Sequence, residues 1–279
     1  MKQFKDKVAV ITGGASGIGL ALARRAAAEG MQLVLADIEQ GPLAAAAAGL
    51  KAAGARVLTV KTDVSRAAEV ENLAAQTLQA FGGAHLVFNN AGVGGVRVKT
   101  WQATAKDWEW VLGVNVWGVI HGVRVFTPIM LRQGDEGHIV NTASAAGFVS
   151  MASTAPYAVS KHAVVTLSEV LYHDLKAENA KVGVSVLCPA WIGTNIWNSQ
   201  RNRPEDLRER ADTAEERARR EELRTLLEKG KVTAADVAGV TFDAIANDQF
   251  YIFPHPKIRR DIQTRMEDIL ALRNPTRTA

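Results

Sequence analysis

Short apolar runs alternate with helix-length amphipathic stretches along most of the chain. The runs are rich in β-branched and aliphatic residues without strict alternation, and they lie at 8–12, 32–36, 57–61, 86–89, 137–142 and 182–187. Continuous apolar strands are typical of a parallel sheet that is covered on both faces. Helical stretches lie between them, at 17–29, around 44–48, and at 67–81, 106–131 and 155–178. This alternation predicts an α/β fold with one doubly wound parallel sheet and helices on both faces.

Two segments near the C-terminus interrupt this alternation. Residues 201–229 are polar almost all round and carry nine basic and nine acidic side chains, which predicts one or two exposed helices. We interpret residues 195–229 as a lid over a site; the alternatives are a solvated insertion or a segment that serves oligomer contacts. Residues 250–279 are interpreted as a C-terminal extension that contains an amphipathic helix. The whole chain, 1–279, is expected to form a single domain.

Composition and charge argue against several classes of protein. The formal net charge is +4 and is not clustered, so nucleic-acid binding is not expected. A single cysteine, Cys188, excludes a disulfide framework, and the six histidines show no paired-ligand spacing, so no metal is expected. The N-terminus is polar, and no apolar run approaches the ~18 residues that would span a bilayer. These features predict a cytoplasmic protein with no membrane attachment.

A glycine-rich turn follows the first predicted strand and opens the first predicted helix. It reads Thr12-Gly13-Gly14-Ala15-Ser16-Gly17-Ile18-Gly19. Glycines allow a tight turn and close backbone approach, and a helix N-terminus offers free N–H groups and a positive dipole end to a pyrophosphate. Asp37 ends the second strand 18 residues after Gly19, where a carboxylate can bond adenosine ribose hydroxyls. The pattern predicts a Rossmann-like dinucleotide site.

Further motifs follow at the ends of predicted strands or on predicted helices: Asp63-Val64, Asn89-Asn90-Ala91-Gly92, Asn115, Ser144, Tyr157-x-x-x-Lys161 and Pro189 to Thr194. Together with the spacing Gly13-x-x-x-Gly17-x-Gly19, they make residues 5–195 resemble the classical short-chain dehydrogenases/reductases. One position departs from that family's pattern, since Ala190 stands where its loop after the sixth strand usually has glycine. The resemblance implies an NAD(P)-dependent oxidoreductase that interconverts a secondary alcohol and its ketone.

The same resemblance assigns Asn115, Ser144, Tyr157 and Lys161 to the catalytic site. Tyr157 and Lys161 are four residues apart in a predicted helix and are therefore neighbours on one face. A nearby ammonium and a cationic nicotinamide both favour the phenolate, so Tyr157 can act as general base for alcohol oxidation. Ser144 is expected to hydrogen-bond the substrate oxygen. By resemblance, Lys161 also holds the nicotinamide ribose, and Asn115 fixes a helix distortion and a water that relays the proton.

The expected cofactor is NAD, with NADP less favoured. Asp37 can accept both ribose hydroxyls but repels a 2′-phosphate, and neither Ser16 nor Ile38 supplies the basic residue that NADP-preferring relatives often carry there. The predicted cofactor-binding residues are Gly13, Ser16, Gly17, Ile18, Gly19, Asp37, Ile38, Asp63, Val64, Asn90, Ala91, Gly92, Tyr157, Lys161, Pro189, Ile192 and Thr194.

Small and apolar residues surround the predicted reaction centre. Gly94, Ala146, Trp191 and Trp197 are assigned to the substrate pocket, and the balanced charge of 201–229 gives no reason to expect an acidic substrate. Pockets lined in this way bind mainly by apolar burial. The sequence therefore predicts a hydrophobic, aromatic or polycyclic secondary alcohol or ketone.

Two other classes of function stay open on the sequence: a non-catalytic dinucleotide sensor, and a sugar-nucleotide epimerase or dehydratase of the extended type. A sensor has no need of Tyr157 and Lys161 together. An extended-type enzyme is expected to have a loop closer to Gly-x-x-Gly-x-x-Gly and a larger C-terminal domain. In the family that the chain resembles, the helices corresponding to those of Asn115 and Tyr157 commonly pack against their symmetry mates. Both helices are long and apolar here, so the resemblance implies a homodimer or homotetramer with closed symmetry.

Overall fold

The computed structural model describes residues 1–209 and 213–277. In these residues, seven strands form one parallel sheet with the order β3-β2-β1-β4-β5-β6-β7. The strands are β1 (Val8–Thr12), β2 (Gln32–Asp37), β3 (Val57–Lys61), β4 (Leu86–Asn89), β5 (Gly137–Thr142), β6 (Val182–Leu187) and β7 (Tyr251–Ile252). The predicted doubly wound parallel sheet is confirmed. The strand order reverses between β1 and β4, which opens a crevice at the carboxyl edge of the sheet.

Nine α-helices lie in the described part of the chain. They are α1 (Gly17–Ala28), α2 (Gln40–Ala52), α3 (Ala67–Phe81), α4 (Ala105–Leu112), α5 (Gly118–Gln133), α6 (Ala155–Ala177), α7 (Ala214–Glu228), α8 (Ala234–Ala246) and α9 (Ile258–Leu270). The sequence pattern predicts α1, α3 and α6 to within a residue at either end, and α9 is the amphipathic helix of the C-terminal extension. It gives no prediction for α8.

Alternate residues of the central strands contribute to two separate cores. In β1, Ala9 and Ile11 join the apolar cluster that includes residues of α1 and α8, whereas Val8 and Val10 join the cluster that includes residues of α3 and α5. All four side chains are at most 1% exposed. Because both faces of the strand are covered, both registers must be apolar, which explains the continuous apolar runs.

The predicted helix at 106–131 is helical along its whole length, and it contains a distortion at Asn115, as the resemblance implies. The structure divides it into α4 and α5, which are joined by a π-helical turn at Gly113–Trp117. The wider turn places Asn115 in the interior, where its side chain is fully buried. The distortion therefore lies at one of the predicted site residues.

The expectation that no stretch of the chain is long and apolar enough to span a membrane is wrong. The segment Ala105–Gln133 meets that test by length and composition, although 44% of its most apolar window is buried inside the protein. Phe126 and Met130 on this segment belong to the core on one face of the sheet. The segment thus serves as a core helix of the fold.

The C-terminal part of the chain completes the sheet and one of its cores. β7 pairs with β6 through Tyr251 and Ile252. α8 packs against α1, with the guanidinium of Arg25 5.4 Å from the ring centre of Phe242. After β7 the chain passes along the carboxyl edge of the sheet and brings His255 to the cavity described below.

Candidate active site

A cavity of about 560 Å³ opens at the carboxyl edge of the sheet. Its wall contains every residue predicted for the cofactor and the substrate pocket, and three of the four predicted catalytic residues, Ser144, Tyr157 and Lys161. The fourth, Asn115, is fully buried and does not line the cavity. The fold therefore brings nearly all of the predicted site residues to one place.

The glycine-rich turn has a backbone that only glycines adopt easily. Gly13 and Gly17 have φ angles of +67° and +54°. A Cβ on Gly19 would lie 2.0 Å from the carbonyl oxygen of Gly13, so a side chain there would force the turn away from α1. Ser16 is the N-cap of α1 but its side chain makes no capping hydrogen bond, which leaves the first N–H groups of α1 available to an anion. These features fit the pyrophosphate of a dinucleotide.

Asp37 lies at the end of β2 and is fixed by the backbone of neighbouring loops. Its Oδ2 accepts a hydrogen bond from the Ala15 N–H at 3.1 Å, and its Oδ1 accepts one from the Glu39 N–H at 3.0 Å. Burial raises the pKa of this carboxyl above its usual range, and the two N–H bonds oppose the rise. A carboxylate with two accepted bonds has further lone pairs for ribose hydroxyls. Ile38, next to it, is exposed and supplies no cation.

The hydroxyl of Thr12 joins the end of β1 to the loop after β4. Thr12 Oγ1 accepts hydrogen bonds from the N–H groups of Asn90 at 2.9 Å and Ala91 at 3.1 Å, and it donates to the carbonyl of Phe88 at 3.2 Å. The side-chain amide of Asn90 donates back to the Thr12 carbonyl at 3.0 Å. The strand ends on the two sides of the crevice are thereby fixed to each other.

Asn115 connects the π-helical turn to the loop that follows β4. Its Oδ1 accepts a hydrogen bond from the Val93 N–H at 2.8 Å, and its Nδ2 donates to the Val93 carbonyl and to Ser160 Oγ, both at 3.0 Å. A Cβ on Gly92 would lie 3.3 Å from Asn115 Oδ1 and 3.6 Å from Lys161 Nζ. Glycine at this position lets both side chains approach the same stretch of backbone.

Ser144, Tyr157 and Lys161 form the polar centre of the cavity. Lys161 Nζ donates to the carbonyl of Thr142 at 2.9 Å and lies 5.7 Å from the centre of the Tyr157 ring. Burial lowers the pKa of Lys161 to about 8. Burial also raises the pKa of Tyr157, and a hydrogen bond with Ser144 opposes that rise. Burial, rather than the charge of Lys161 that sequence reasoning invoked, is therefore the main influence on the tyrosine.

The loop after β6 is fixed by the C-terminal extension. Ala190, which departs from the family pattern, donates its N–H to His255 Nδ1 at 3.2 Å. Burial lowers the pKa of His255, which favours the neutral ring that can accept this bond. Further along the loop, Thr194 packs on the glycine turn, since a Cβ on Gly17 would lie 3.1 Å from its methyl carbon. Sequence reasoning assigned His255 only a structural role, but this residue lines the cavity.

Residues 195–202 lie along the cavity and are attached to the region around α4. Ser199 Oγ accepts a hydrogen bond from the Gly94 N–H at 3.1 Å. Just beyond, Arg203 pairs with Asp107 of α4 at 2.6 Å, and both side chains are buried. Removing one partner of a buried, hydrogen-bonded ion pair lowers the stability of the fold by roughly 3–5 kcal/mol. This pair therefore anchors the end of the segment.

The same segment also reaches the loop after β2. The guanidinium of Arg201 binds both carboxylate oxygens of Glu39, through Nε at 3.0 Å and through Nη2 at 2.5 Å. It also donates to the carbonyls of Asn195 and Asn198, at 3.2 and 2.9 Å. The hydrogen bond from Arg201 is the main reason that the pKa of Glu39 is lowered, and Asn202 contributes a second one. We call the pairing of Arg201 with Glu39 the ribose-end clasp, because Glu39 is two residues from Asp37.

The predicted polar segment thus contains 3₁₀ turns at Asn195–Asn202 and Glu205–Leu207, followed by α7. α7 is not polar on every side, because Leu223 and Leu227 line the cavity and Leu227 is buried. Arg224 places its guanidinium 5.2 Å from the ring centre of Trp197. Parts of the predicted lid and extension, 210–212 and 278–279, lie outside the described residues.

Sequence reasoning missed several charged and polar residues on the cavity wall. They include Glu39, Arg97, Gln200, Arg201, Asn202, Glu216, Arg220, His255, Lys257 and Asp261. Most of them come from the last third of the chain, where no motif pointed to them. Within 1–209 and 213–277, no group of three or more His, Cys, Asp or Glu side chains could hold a metal ion.

Comparisons with known proteins agree with this geometry. The short chain dehydrogenase family matches residues 7–205. The crystal structure of a short chain dehydrogenase/reductase from Burkholderia phymatum in complex with NAD is 52% identical, with a TM-score of 0.97, and the match covers 100% of this chain and 99% of that one. Two curated relatives are similar over nearly the whole chain. The CLA biosynthesis dehydrogenase/reductase of Lactiplantibacillus plantarum is 31% identical, covering 97% of this chain and 95% of the relative. The 1-deoxy-11-beta-hydroxypentalenate dehydrogenase of Streptomyces arenae is 36% identical, covering 95% and 88%.

The chain therefore belongs to the short-chain dehydrogenase/reductase family of oxidoreductases. The resemblance drawn from the sequence motifs is confirmed.

Proposed function

We propose that this protein is an NAD-dependent oxidoreductase that interconverts a hydrophobic secondary alcohol and its ketone by hydride transfer. One observation carries the proposal: Ser144, Tyr157 and Lys161 share a cavity wall with the glycine turn and Asp37. A proton-transferring phenol and a dinucleotide site in one cavity are the two requirements of this reaction.

The chain's own residues supply the proton transfer and the orientation. When bound, the nicotinamide dinucleotide supplies the hydride acceptor or donor. Tyr157 removes the proton from the alcohol, and Ser144, which is hydrogen-bonded to Tyr157, holds the same substrate oxygen. Lys161 is fixed by the Thr142 carbonyl close to the phenol, where its positive charge acts against the dominant effect of burial on the tyrosine. Asn115 is a positioning residue, since it contacts the backbone of Val93 and not the cavity.

Replacement of the phenol tests the enzymatic role. In Tyr157→Phe we expect kcat to fall by roughly 10²–10⁴-fold, because only the proton-transferring oxygen is removed. The Kd for NADH should change by less than about twofold. Tyr172→Phe is a matched control, since Tyr172 lies on the same helix outside the cavity. A wild-type protein that binds NADH but turns over no secondary alcohol or ketone would instead be a dinucleotide sensor.

The preference for NAD over NADP rests on the carboxylates at the end of β2. Asp37 and Glu39 both line the cavity there, and a 2′-phosphate would meet both charges. Arg201 is a nearby cation that the sequence did not reveal, but both of its bonds to Glu39 are already made. A relative of 52% identity was crystallised with NAD, which agrees with this preference.

A hydrophobic substrate is supported by the apolar residues on the cavity wall. They include Val93, Val96, Val149, Met151, Trp191, Ile196, Trp197 and Leu223. The name of the Streptomyces arenae relative, a hydroxypentalenate dehydrogenase, likewise indicates oxidation of a hydroxyl group. In Trp191→Ala we expect kcat/KM for a bulky aryl ketone to fall about tenfold or more, with little change for a small aliphatic ketone. Equal efficiency for both ketones in the wild type would contradict a large apolar pocket.

We propose that residues 195–229 act as a lid over this cavity and that the protein forms a cytoplasmic homodimer or homotetramer. The lid is supported by the cavity-lining positions along 195–202 and α7. The oligomer is supported by exposed apolar side chains on the π-helical turn and α6, where Trp117, Val159 and Val170 are 52%, 48% and 52% exposed. Sedimentation velocity at micromolar concentration tests the assembly, and a monomer alone would contradict it.

A further inference from the structure

Arg97 lies in the loop between β4 and α4 and is part of the cavity wall. Its guanidinium makes no hydrogen bond or ion pair within 1–209 and 213–277, although the side chain is half-buried. Other arginines around the cavity are paired: Arg201 with Glu39, Arg203 with Asp107, Arg219 with Glu215, and Arg224 with Glu221 and Glu228. Arg97 thus stands apart as a partly desolvated charge that lacks a partner in the described chain.

The position of Arg97 is fixed by its backbone and by its neighbours in the loop. Its carbonyl accepts a hydrogen bond from Arg219 of α7 at 2.7 Å. Three residues earlier, the Gly94 N–H donates a hydrogen bond to Ser199 Oγ. Val98, which follows Arg97, is buried. The loop is therefore attached to α7 and to the 3₁₀ turn at Asn195–Asn202, and Arg97 is part of the cavity wall on a supported backbone.

The charges around Arg97 favour a single negative charge as its partner. Burial lowers the pKa of the guanidinium, Arg219 adds to that effect, and Glu222 opposes it without making an ion pair. An arginine stays protonated under such conditions, so burial leaves a charge that has lost water and has not gained a hydrogen bond. The planar fork of a guanidinium matches the two oxygens of a carboxylate. A dianion such as a phosphate monoester would be repelled more strongly by Glu222.

We propose that Arg97 binds a carboxylate group of the substrate, so that the physiological substrate is a hydrophobic hydroxy acid or the corresponding keto acid. This rests on the proposed function and departs from the expectation, drawn from the balanced charge of 201–229, that there is no reason to expect an acidic substrate. In the oxidation, the hydride leaves the carbinol carbon for the nicotinamide and the hydroxyl proton goes to Tyr157. The carboxylate stays unchanged and fixes the far part of the substrate. The apolar residues of the cavity wall accommodate the hydrocarbon body.

The proposal is tested with matched acids and esters. The probes are 4-(1-hydroxyethyl)benzoate and a series of decanoates with the hydroxyl at carbon 3, 5, 7 or 9, each beside its methyl ester. In the wild type we expect at least one acid to have a kcat/KM about 10–100-fold above that of its ester. In Arg97→Gln that preference should disappear, chiefly through a higher KM for the acid, with a much smaller change for the ester. Arg97→Lys should restore part of it.

Lys99→Met is the matched control, because Lys99 is an exposed cation of the same loop that does not line the cavity. It should leave the acid preference intact. The Kd for NADH should be unchanged in every variant, which separates a local effect from misfolding. If the wild type oxidises esters and acids equally and Arg97→Gln changes neither, the Arg97 proposal is wrong and the proposed function stands. If no secondary alcohol in either series is oxidised, the proposed function itself fails.

Discussion

The ribose-end clasp predicts that the lid controls release of the dinucleotide. Arg201 and Glu39 are 30% and 22% exposed, and they are joined by two charge-assisted hydrogen bonds. A pair that is partly buried in this way stabilises the closed lid by about 1–2 kcal/mol, which is more than an exposed pair contributes and less than a buried one. With RT near 0.59 kcal/mol, this corresponds to roughly 5–30-fold in the equilibrium between closed and open lid. The release rate of NADH should rise by that factor when the clasp is broken.

Stopped-flow fluorescence measures this rate directly. NADH bound to the protein is displaced by excess NAD in the wild type, in Glu39→Gln, in Arg201→Gln and in the double variant. Each single variant should release NADH about 5–30-fold faster, and the double variant should be no faster than the single ones. Salt should accelerate release from the wild type but have less effect on the variants. Lys176→Gln is the control, since it removes the exposed Lys176–Asp248 pair, whose residues do not line the cavity.

Two outcomes would refute this reasoning. Release rates within twofold of the wild type in both single variants would mean that the clasp does not hold the lid. Fully additive effects in the double variant would mean that Arg201 and Glu39 act independently. Acidification gives a further check. Because the pKa of Glu39 is lowered in the folded protein, the clasp contributes at pH values above the ordinary pKa of a glutamate and is lost as the pH falls through the lowered value.

Three further predictions concern the cofactor site and its central lysine. In Gly19→Ala the added Cβ meets the backbone of the glycine turn, so the Kd for NADH should rise about tenfold or more by calorimetry, whereas Gly49→Ala, where a Cβ meets nothing, should leave it unchanged. In Asp37→Ser combined with Ile38→Arg, the ratio of kcat/KM for NAD over NADP should fall, and tighter binding of NADPH than NADH by the wild type would contradict the assigned preference. Burial of Lys161 lowers its pKa to about 8 in the folded state, so the unfolded chain binds more protons between that pH and the ordinary lysine pKa. Denaturant unfolding should therefore show the free energy of unfolding of the wild type rising across this range relative to Lys161→Met, and parallel curves would contradict a lysine whose pKa is lowered by burial.

The sheet and the glycine turn could be predicted from the sequence because their causes are local. A strand such as Val8–Thr12, buried on both faces, must be apolar throughout, and a turn such as Gly13 to Gly19 needs glycines where φ is positive or the backbone is close. The predicted catalytic motif Tyr157-x-x-x-Lys161 is likewise a spacing within one helix. In each case the residues that determine the structure are neighbours in the chain.

The remaining features depend on contacts between distant residues. The π-helical turn at Gly113–Trp117 is stabilised by Asn115 bonding to Val93, which no helical periodicity reveals. The clasp joins residues 162 positions apart, and β7 has only two residues, too few for a recognisable pattern. Arg97 could not be recognised as a candidate binding residue from the sequence, because only the folded structure shows that its side chain has no partner in the described chain.

The hydroxyl of Thr12 limits which residues can replace it, because it links the end of β1 to the loop after β4. It accepts hydrogen bonds from two backbone N–H groups of one loop and donates one to a carbonyl near the end of β4. Valine has nearly the same shape, yet it would leave both N–H groups without an acceptor at a place where Thr12 is buried. Serine would keep all three bonds and give up only a methyl group. We therefore expect Thr12→Ser, which loses a methyl group, to be tolerated better than Thr12→Val, which loses the hydroxyl. This holds although Thr12 ends an otherwise apolar strand.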